Sequence, residues 1–203
     1  MGEPADERRG PRFLMGKHVT LRRFERCDLP HMRRWLDDAE LRSQIAATSP
    51  MTGPEADEWF ARMESDPARL WYAIVRDGDE RVIGEAGLLR MFPEWGTTDL
   101  TIIVGERDAR GSGHGSETGR LLLDFAFDYM CFHRVAIGVV GFHEPALRFW
   151  EKLGFRREGL QRDGYVVDGE FHDFVMMSML EDEWRARKGR VGPDAADLAN
   201  TGS

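Results

Sequence analysis

One stretch restricts the possible folds of this chain more than any other. It begins with "DLTIIVG" (residues 99–105), passes through the glycine loop "RGSGHG" and an apolar run, and ends on "HRVAIGVV" (residues 133–140). Strand, helix and strand in that order predict a parallel crossover, because two parallel strands cannot be joined by a tight turn. Such a crossover sets a helix N-terminus at the carboxyl end of a strand, where ligands tend to bind. The loop itself is unusual. Gly111, Gly113 and Gly115 stand directly before a helix whose Leu121 to Phe127 run must be buried, although glycine is the poorest helix former after proline.

The chain before Gly105 reads differently. "HVTLRRF" (residues 18–24) alternates like a strand, with Val19 and Leu21 on one face. Asp28 is the expected N-cap and Pro30 suits the first turn of a helix over "HMRRWLDDAEL". A second helix is expected over "TGPEADEWFARM", with Thr52 or Gly53 at the cap and Trp59, Phe60 and Met63 on the packing side. "LWYAIV" then turns at Asp77–Gly78 into "RVIGEAGLL", a hairpin signal, and the loop "RMFPEWGTT" leads to the central strand. Past the crossover come a helix over Ser116 to Met130, the strand "HRVAIGVV", the helix "EPALRFWEKL" and the strand "GFRREGL". A closing hairpin, "YVVDGEFHDFVMMSML", turns at Asp168–Gly169. The whole predicts an α/β domain with a mixed, largely antiparallel sheet flanked by helices.

Length and composition narrow the rest. At 203 residues one domain is expected, placed at residues 13–184 between flexible tails at 1–12 and 185–203. No apolar stretch approaches the roughly 18 residues of a membrane span, and "MGEPADERRGPR" lacks the apolar core of a secretory signal. A net charge of −8 speaks against nucleic acid as a main partner and is compatible with an amine substrate. Cys27 and Cys131 have no metal or redox spacing and the six histidines are scattered, so no metal is expected and the setting is read as cytoplasmic.

For the glycine loop three readings compete. A turn with positive backbone angles needs no ligand. A nucleotide fold fits poorly: there is no G-K-[ST], and Ser116 or Thr118 stands where a dinucleotide fingerprint wants its third glycine. The third is a pyrophosphate cradle, in which loop amides, the open helix N-terminus and Arg110 face an anion.

"Arg110-x-x-Gly113-x-Gly115" resembles the acyl-CoA motif of the GNAT superfamily of N-acetyltransferases. "HRVAIGVVGFHEPALRFWEKLGFRREG" is similar to the strand, helix and "EKLGF" turn that come after that motif in the family. "DGEFHDFVMMSML" resembles the ending of its ribosomal-protein N-terminal and polyamine acetyltransferase branch. The resemblance spans roughly residues 15–184 and implies transfer of acetyl from acetyl-CoA directly to a primary amine. It implies that the pyrophosphate rests on the loop from Arg110 through Gly111, Ser112, Gly113, His114 and Gly115 to Ser116. The pantetheine arm would pair with the backbone of Ile102, Ile103 and Val104. A base must take the amine's proton. Asp99 lies where related sequences often carry a glutamate, and Glu85, an acid inside a strand, is the other candidate.

Two positions depart from the family. Trp150 stands where a tyrosine usually protonates the leaving thiolate, and His143 stands where an asparagine usually precedes the helix. Indole has no proton to give at neutral pH, so His143 or Tyr165 becomes the expected substitute. An acyl-CoA-binding protein that does not transfer is the alternative this departure raises. Asp173 is read as holding the final hairpin, His172 as structural or exposed, and Trp35, Trp59, Trp71 and Trp95 as candidates for the acceptor side. The acceptor itself stays open among protein N-termini, polyamines, amino sugars and antibiotics. So do longer acyl groups such as succinyl, and a homodimer.

Overall fold

Alternation in the strands is what builds the centre of the molecule. The computed structural model describes residues 11–47 and 49–190. Its strands are β1 (Arg12–Met15), β2 (Val19–Arg23), β3 (Leu70–Arg76), β4 (Arg81–Phe92), β5 (Thr97–Val104), β6 (Arg134–Val140), β7 (Arg156–Val167) and β8 (Glu170–Leu180). They form one eight-stranded sheet in the order β1-β2-β3-β4-β5-β6-β8-β7. Successive side chains point to opposite faces. Val19, Leu21, Tyr72, Ile74, Leu88 and Leu100 face the larger core, while Trp71, Ala73 and Val75 face a second one. The sheet is thus buried on both sides, with helices on each.

The second core is covered by α1 (Leu29–Leu36), α2 (Ala39–Gln44) and α3 (Gly53–Ser65). Where one helix was expected over "HMRRWLDDAEL", there are two. The chain breaks at Asp37 and Asp38, and the Asp38 carboxylate caps α2 by accepting from the Glu40 and Leu41 amides. Asp28 does not cap α1. Its carboxylate instead takes both ends of the Arg22 guanidinium, each at 2.7 Å, and the Glu25 amide at 2.9 Å. That buried ion pair outcompetes the cap. α3 opens as expected on Thr52, which exchanges bonds with Glu55 in a capping box.

On the other face, α4 (His114–Asp124) runs into a π-turn, Phe125–Tyr129, closed by the Met130 amide on the Phe125 carbonyl at 2.9 Å. α5 (Glu144–Leu153) occupies the expected residues and ends on Gly154 at φ 118°. α6 (Glu181–Arg190) carries helix past the domain end expected at residue 184, and β1 likewise takes in Arg12. The remaining tail positions, 1–10 and 191–203, lie outside the described residues. Among those described, no helix is long and apolar enough to cross a membrane.

Both expected hairpins form. At the last one Asp168 and Gly169 take φ of 51° and 81°, as a two-residue primed turn requires. The strand before it is a surprise. β7 is continuous across "QRDG", because bulges at residues 157–159 and 161–165 absorb the extra residues; Asp163 sits there at φ 50° and its amide bonds Asp173 Oδ1. Asp173 so secures the final hairpin, and His172 packs against Phe142.

All strand pairs are antiparallel except β5 and β6, the predicted crossover. This parallel ladder is short. It joins only Thr97, Thr98 and Asp99 to Arg134, Val135 and Ala136, after which the two strands separate. From residue 100 to 104 the β6-facing edge of β5 has no strand beside it among the described residues, and the gap opens toward the glycine loop.

Candidate active site

The first cleft fills that gap. About 410 Å³ of space lies between Ile102–Val104, the loop at Arg110–Gly113, the first turn of α4, and one side of α5. Gly111 and Gly113 have φ of 76° and 90°, and a Cβ added to either would meet nothing within 4 Å. Backbone conformation, and not lack of room, therefore calls for glycine. Gly113 is the N-cap of α4, and no side chain caps the helix. The amides of His114, Gly115 and Ser116 consequently have no intrahelical acceptor, and Gly115 and Ser116 line the cleft.

Arg110 lines this cleft but its fork is engaged: Nε donates to the Val104 carbonyl and Nη2 to the Gly105 carbonyl, both at 2.9 Å. It ties the loop to the end of β5. His114 Nδ1 lies 3.1 Å from the Ala109 carbonyl. His143 begins α5 at the cleft wall, and burial pushes its imidazole below the ordinary value. Trp150 also lines the cleft, held edge to face by Phe149 at 4.8 Å and Phe155 at 5.0 Å. Leu41, Gln44 and Ile45 of the α2 end, together with Phe149, complete the wall. The sequence reading missed these four; only the apolar face of α5 hinted at Phe149.

A second cleft of about 450 Å³ lies on the face covered by α1–α3. Its floor holds Glu85, 5% exposed, whose Oε2 accepts from the Trp71 indole N–H at 3.4 Å. Burial raises this carboxyl to about 7; the Trp71 bond pulls against that rise and the nearby charge of Asp28 adds to it. Trp59 and Trp71 form part of the wall, edge to face at 5.6 Å, and Glu55 and Glu58 stand at the rim. The two glutamates on α3 were also missed, since at that spacing they read as an ordinary solvated helix face.

Ile103 lines both clefts, and Glu85 is its register partner on β4. A titratable carboxyl poised near neutrality thus sits one strand from the gap where the glycine loop opens. Asp99 is placed elsewhere. It is the last β5 residue paired to β6, its carboxylate is bound by Arg90, and it lines neither cleft. Tyr165 is likewise outside: its hydroxyl donates to the Ser43 carbonyl at 3.2 Å, pinning β7 to α2, and burial raises its pKa. Trp95 is exposed against Phe92, and Trp35 is buried with its indole N–H on Glu106 at 2.8 Å. Among the described residues no group of three or more His, Cys, Asp or Glu could hold a metal ion.

Comparison with known proteins bears on this arrangement. The acetyltransferase (GNAT) domain model matches residues 18–156. The SPbeta prophage-derived uncharacterized N-acetyltransferase YokL of Bacillus subtilis (strain 168) is 27% identical over 178 residues, covering 87% of this chain and 98% of its own. Spermidine N(1)-acetyltransferase of Vibrio cholerae serotype O1 is 22% identical over 173 residues, covering 85% and 99%. The crystal structure of spermidine N-acetyltransferase from Vibrio cholerae in complex with CoA and spermine shares the fold, with a TM-score of 0.77 at 20% identity over 83% of this chain and 98% of that one. The matched segment contains the separated strands, the glycine loop and α5, and by it the chain belongs to the GNAT acetyltransferase family.

Proposed function

We propose that this protein is an acyl-CoA-dependent N-acyltransferase that moves acetyl from acetyl-CoA to a primary amine, with Glu85 as the proton acceptor. The observation that carries the reading is the meeting of two clefts at Ile103, one lined by bare amides and the other floored by a near-neutral carboxyl. The residues fit the donor. Positive-φ glycines, an uncapped helix N-terminus and the open edge of β5 offer backbone donors to a pyrophosphate and an extended arm. When bound, acetyl-CoA supplies an activated acyl carbon.

The chain's own residues do the rest. The amides of His114, Gly115 and Ser116 hold the phosphates, Arg110 fixes the loop, and Ile102–Val104 orient the thioester arm. An alkylammonium with a pKa near 10 must be deprotonated before it attacks. Glu85 Oε2 takes that proton through the second cleft, and the nitrogen then forms the new bond as the carbon–sulfur bond breaks. The thiolate, from a thiol of pKa about 8.5, leaves and takes up, through water, the second proton that the attacking nitrogen sheds as it becomes an amide; His143, which burial keeps neutral, lines the donor cleft beside it.

Thermal unfolding with and without acetyl-CoA tests the donor half. Ligand at about 100 times its dissociation constant should add about 2.7 kcal/mol, with NAD giving no shift. Release of thiol with an amine panel tests the transfer. One observation favours a second reading, a binder that transfers slowly: Trp150 fills the tyrosine position and is packed between two phenylalanines. Trp150→Tyr decides between them. A large gain in turnover marks an impaired enzyme, and a loss marks the indole as part of a working site.

A further inference from the structure

Resting on the acceptor reading above, we infer that the amine is singly charged and carried on an apolar, ring-sized body seated against Trp59 and Trp71, and is not a linear polyamine. The charge inventory of the cleft points this way. A polyamine carries several ammonium groups along one chain and needs carboxylates spaced along its path. Here one carboxyl, Glu85, lies at the floor. At the rim Glu58 is offset by Arg62, which lines the same cleft and lies 3.6 Å from it. Glu55 is turned to its own helix end, where its carboxylate accepts from the Thr52 amide at 2.7 Å and the Thr52 hydroxyl at 2.8 Å. No row of free carboxylates remains among the residues lining this cleft.

The walls favour carbon. Trp59, Trp71, Met32, Leu36, Met51 and Ile103 line the space between floor and rim. A body of ring size would remove apolar surface from water on both partners, at roughly 25 cal/mol per Å², and indole faces suit flat groups. The volume of about 450 Å³ falls within the range of small-molecule sites. An amine entering with one positive charge meets an indole wall, which attracts cations, and gives its proton to Glu85 at the bottom.

Thiol release from acetyl-CoA with 2-phenylethylamine and with spermidine tests this. The expected result is a kcat/KM at least tenfold higher for 2-phenylethylamine. Trp59→Ala should raise its KM about tenfold, in line with the loss of one apolar contact surface, with kcat little changed, and Trp59→Phe should restore most of it. Preference for spermidine overturns the inference. So does transfer to neither amine in a protein that acetyl-CoA stabilises, since the donor half would then stand without this acceptor class. Absence of any acetyl-CoA stabilisation overturns the acyltransferase reading itself, and the inference with it.

Discussion

Placing Glu85 in the middle of β4, at the floor of a cleft with only 5% of its surface exposed, disfavours its ionised form, because little water can solvate the charge. The consequence can be read in both stability and rate. A rise from the ordinary 4.5 to about 7 means that the folded protein holds a proton that the unfolded chain has released. Stability from this group is full below about 4.5, declines as pH rises through that window, and is gone above about 7. The shift corresponds to about 3 kcal/mol. Glu85→Gln should therefore match the parent in denaturant unfolding near pH 4.5 and exceed it by about that amount at pH 8; equal stability at both would mean that the carboxyl is not buried. The same variant should lose about 10²–10³ in kcat at pH 7.5, less as pH nears the amine's own pKa. Asp99→Asn, whose parent residue is bound to Arg90 outside both clefts, should stay within about twofold. The reverse ranking would hand the proton to Asp99. Trp71→Phe removes the indole donor on Glu85, so the acid limb of the pH–rate profile should move upward.

At the scale of elements, the start of α4 invites a controlled comparison. Gly113 and Gly78 have φ of 90° and 100°, and neither has an atom within 4 Å of an added Cβ. Gly78 lies in the β3–β4 turn; Gly113 lies in the donor cleft. Alanine at either position should cost roughly 1–2 kcal/mol of backbone strain. Only Gly113→Ala should also weaken acetyl-CoA binding, by tenfold or more by calorimetry, because only there do the distorted amides face a ligand. Equal affinities would reduce the loop to a turn. This loop was legible in the sequence, as were α5 and both hairpins, because glycine spacing, Pro145 after a capping position, and Asp-Gly pairs act within a few residues. Other elements were not. The split between α1 and α2 depends on Asp38 choosing a cap, and β1 is four residues long with an apolar run, Phe13 to Met15, that does not alternate. The bulge in β7 is held by Asp173, ten residues on, and by pairing with β8 on both sides of it. The remaining walls of both clefts were illegible for one reason: they come from helices far apart in sequence, so that Glu55 and Gln44 gain a role only once the sheet brings them together.

For the whole molecule the question is how two clefts on different sides of one strand stay in register. Glu106, just past β5, is the joint. Its carboxylate accepts from the Trp35 indole at 2.8 Å and is bound by Arg34 from α1 and Arg81 from β4, while its amide donates to the Ile83 carbonyl at 3.0 Å. Met32 and Leu36 of that same α1 line the Glu85 cleft, and the chain leaving Glu106 becomes the glycine loop. Burial alone would raise this carboxyl; the Trp35 and Arg34 bonds and the charges of Arg34 and Arg81 outweigh it and hold it below the ordinary carboxylate value. A depressed pKa contributes stability that is present above about 4.5 and lost as pH falls through the folded value. Glu106→Gln keeps the shape and removes the charge. It should cost about 2 kcal/mol at pH 7, with the difference from the parent closing in acid, opposite in sign to Glu85→Gln. Because the joint serves both clefts, KM should rise for acetyl-CoA and for the amine together, while the pH–rate limb assigned to Glu85 stays in place. A rise in one KM alone would mean that α1 and the glycine loop are held independently, and the two halves of the site would then have to be treated as separately positioned parts.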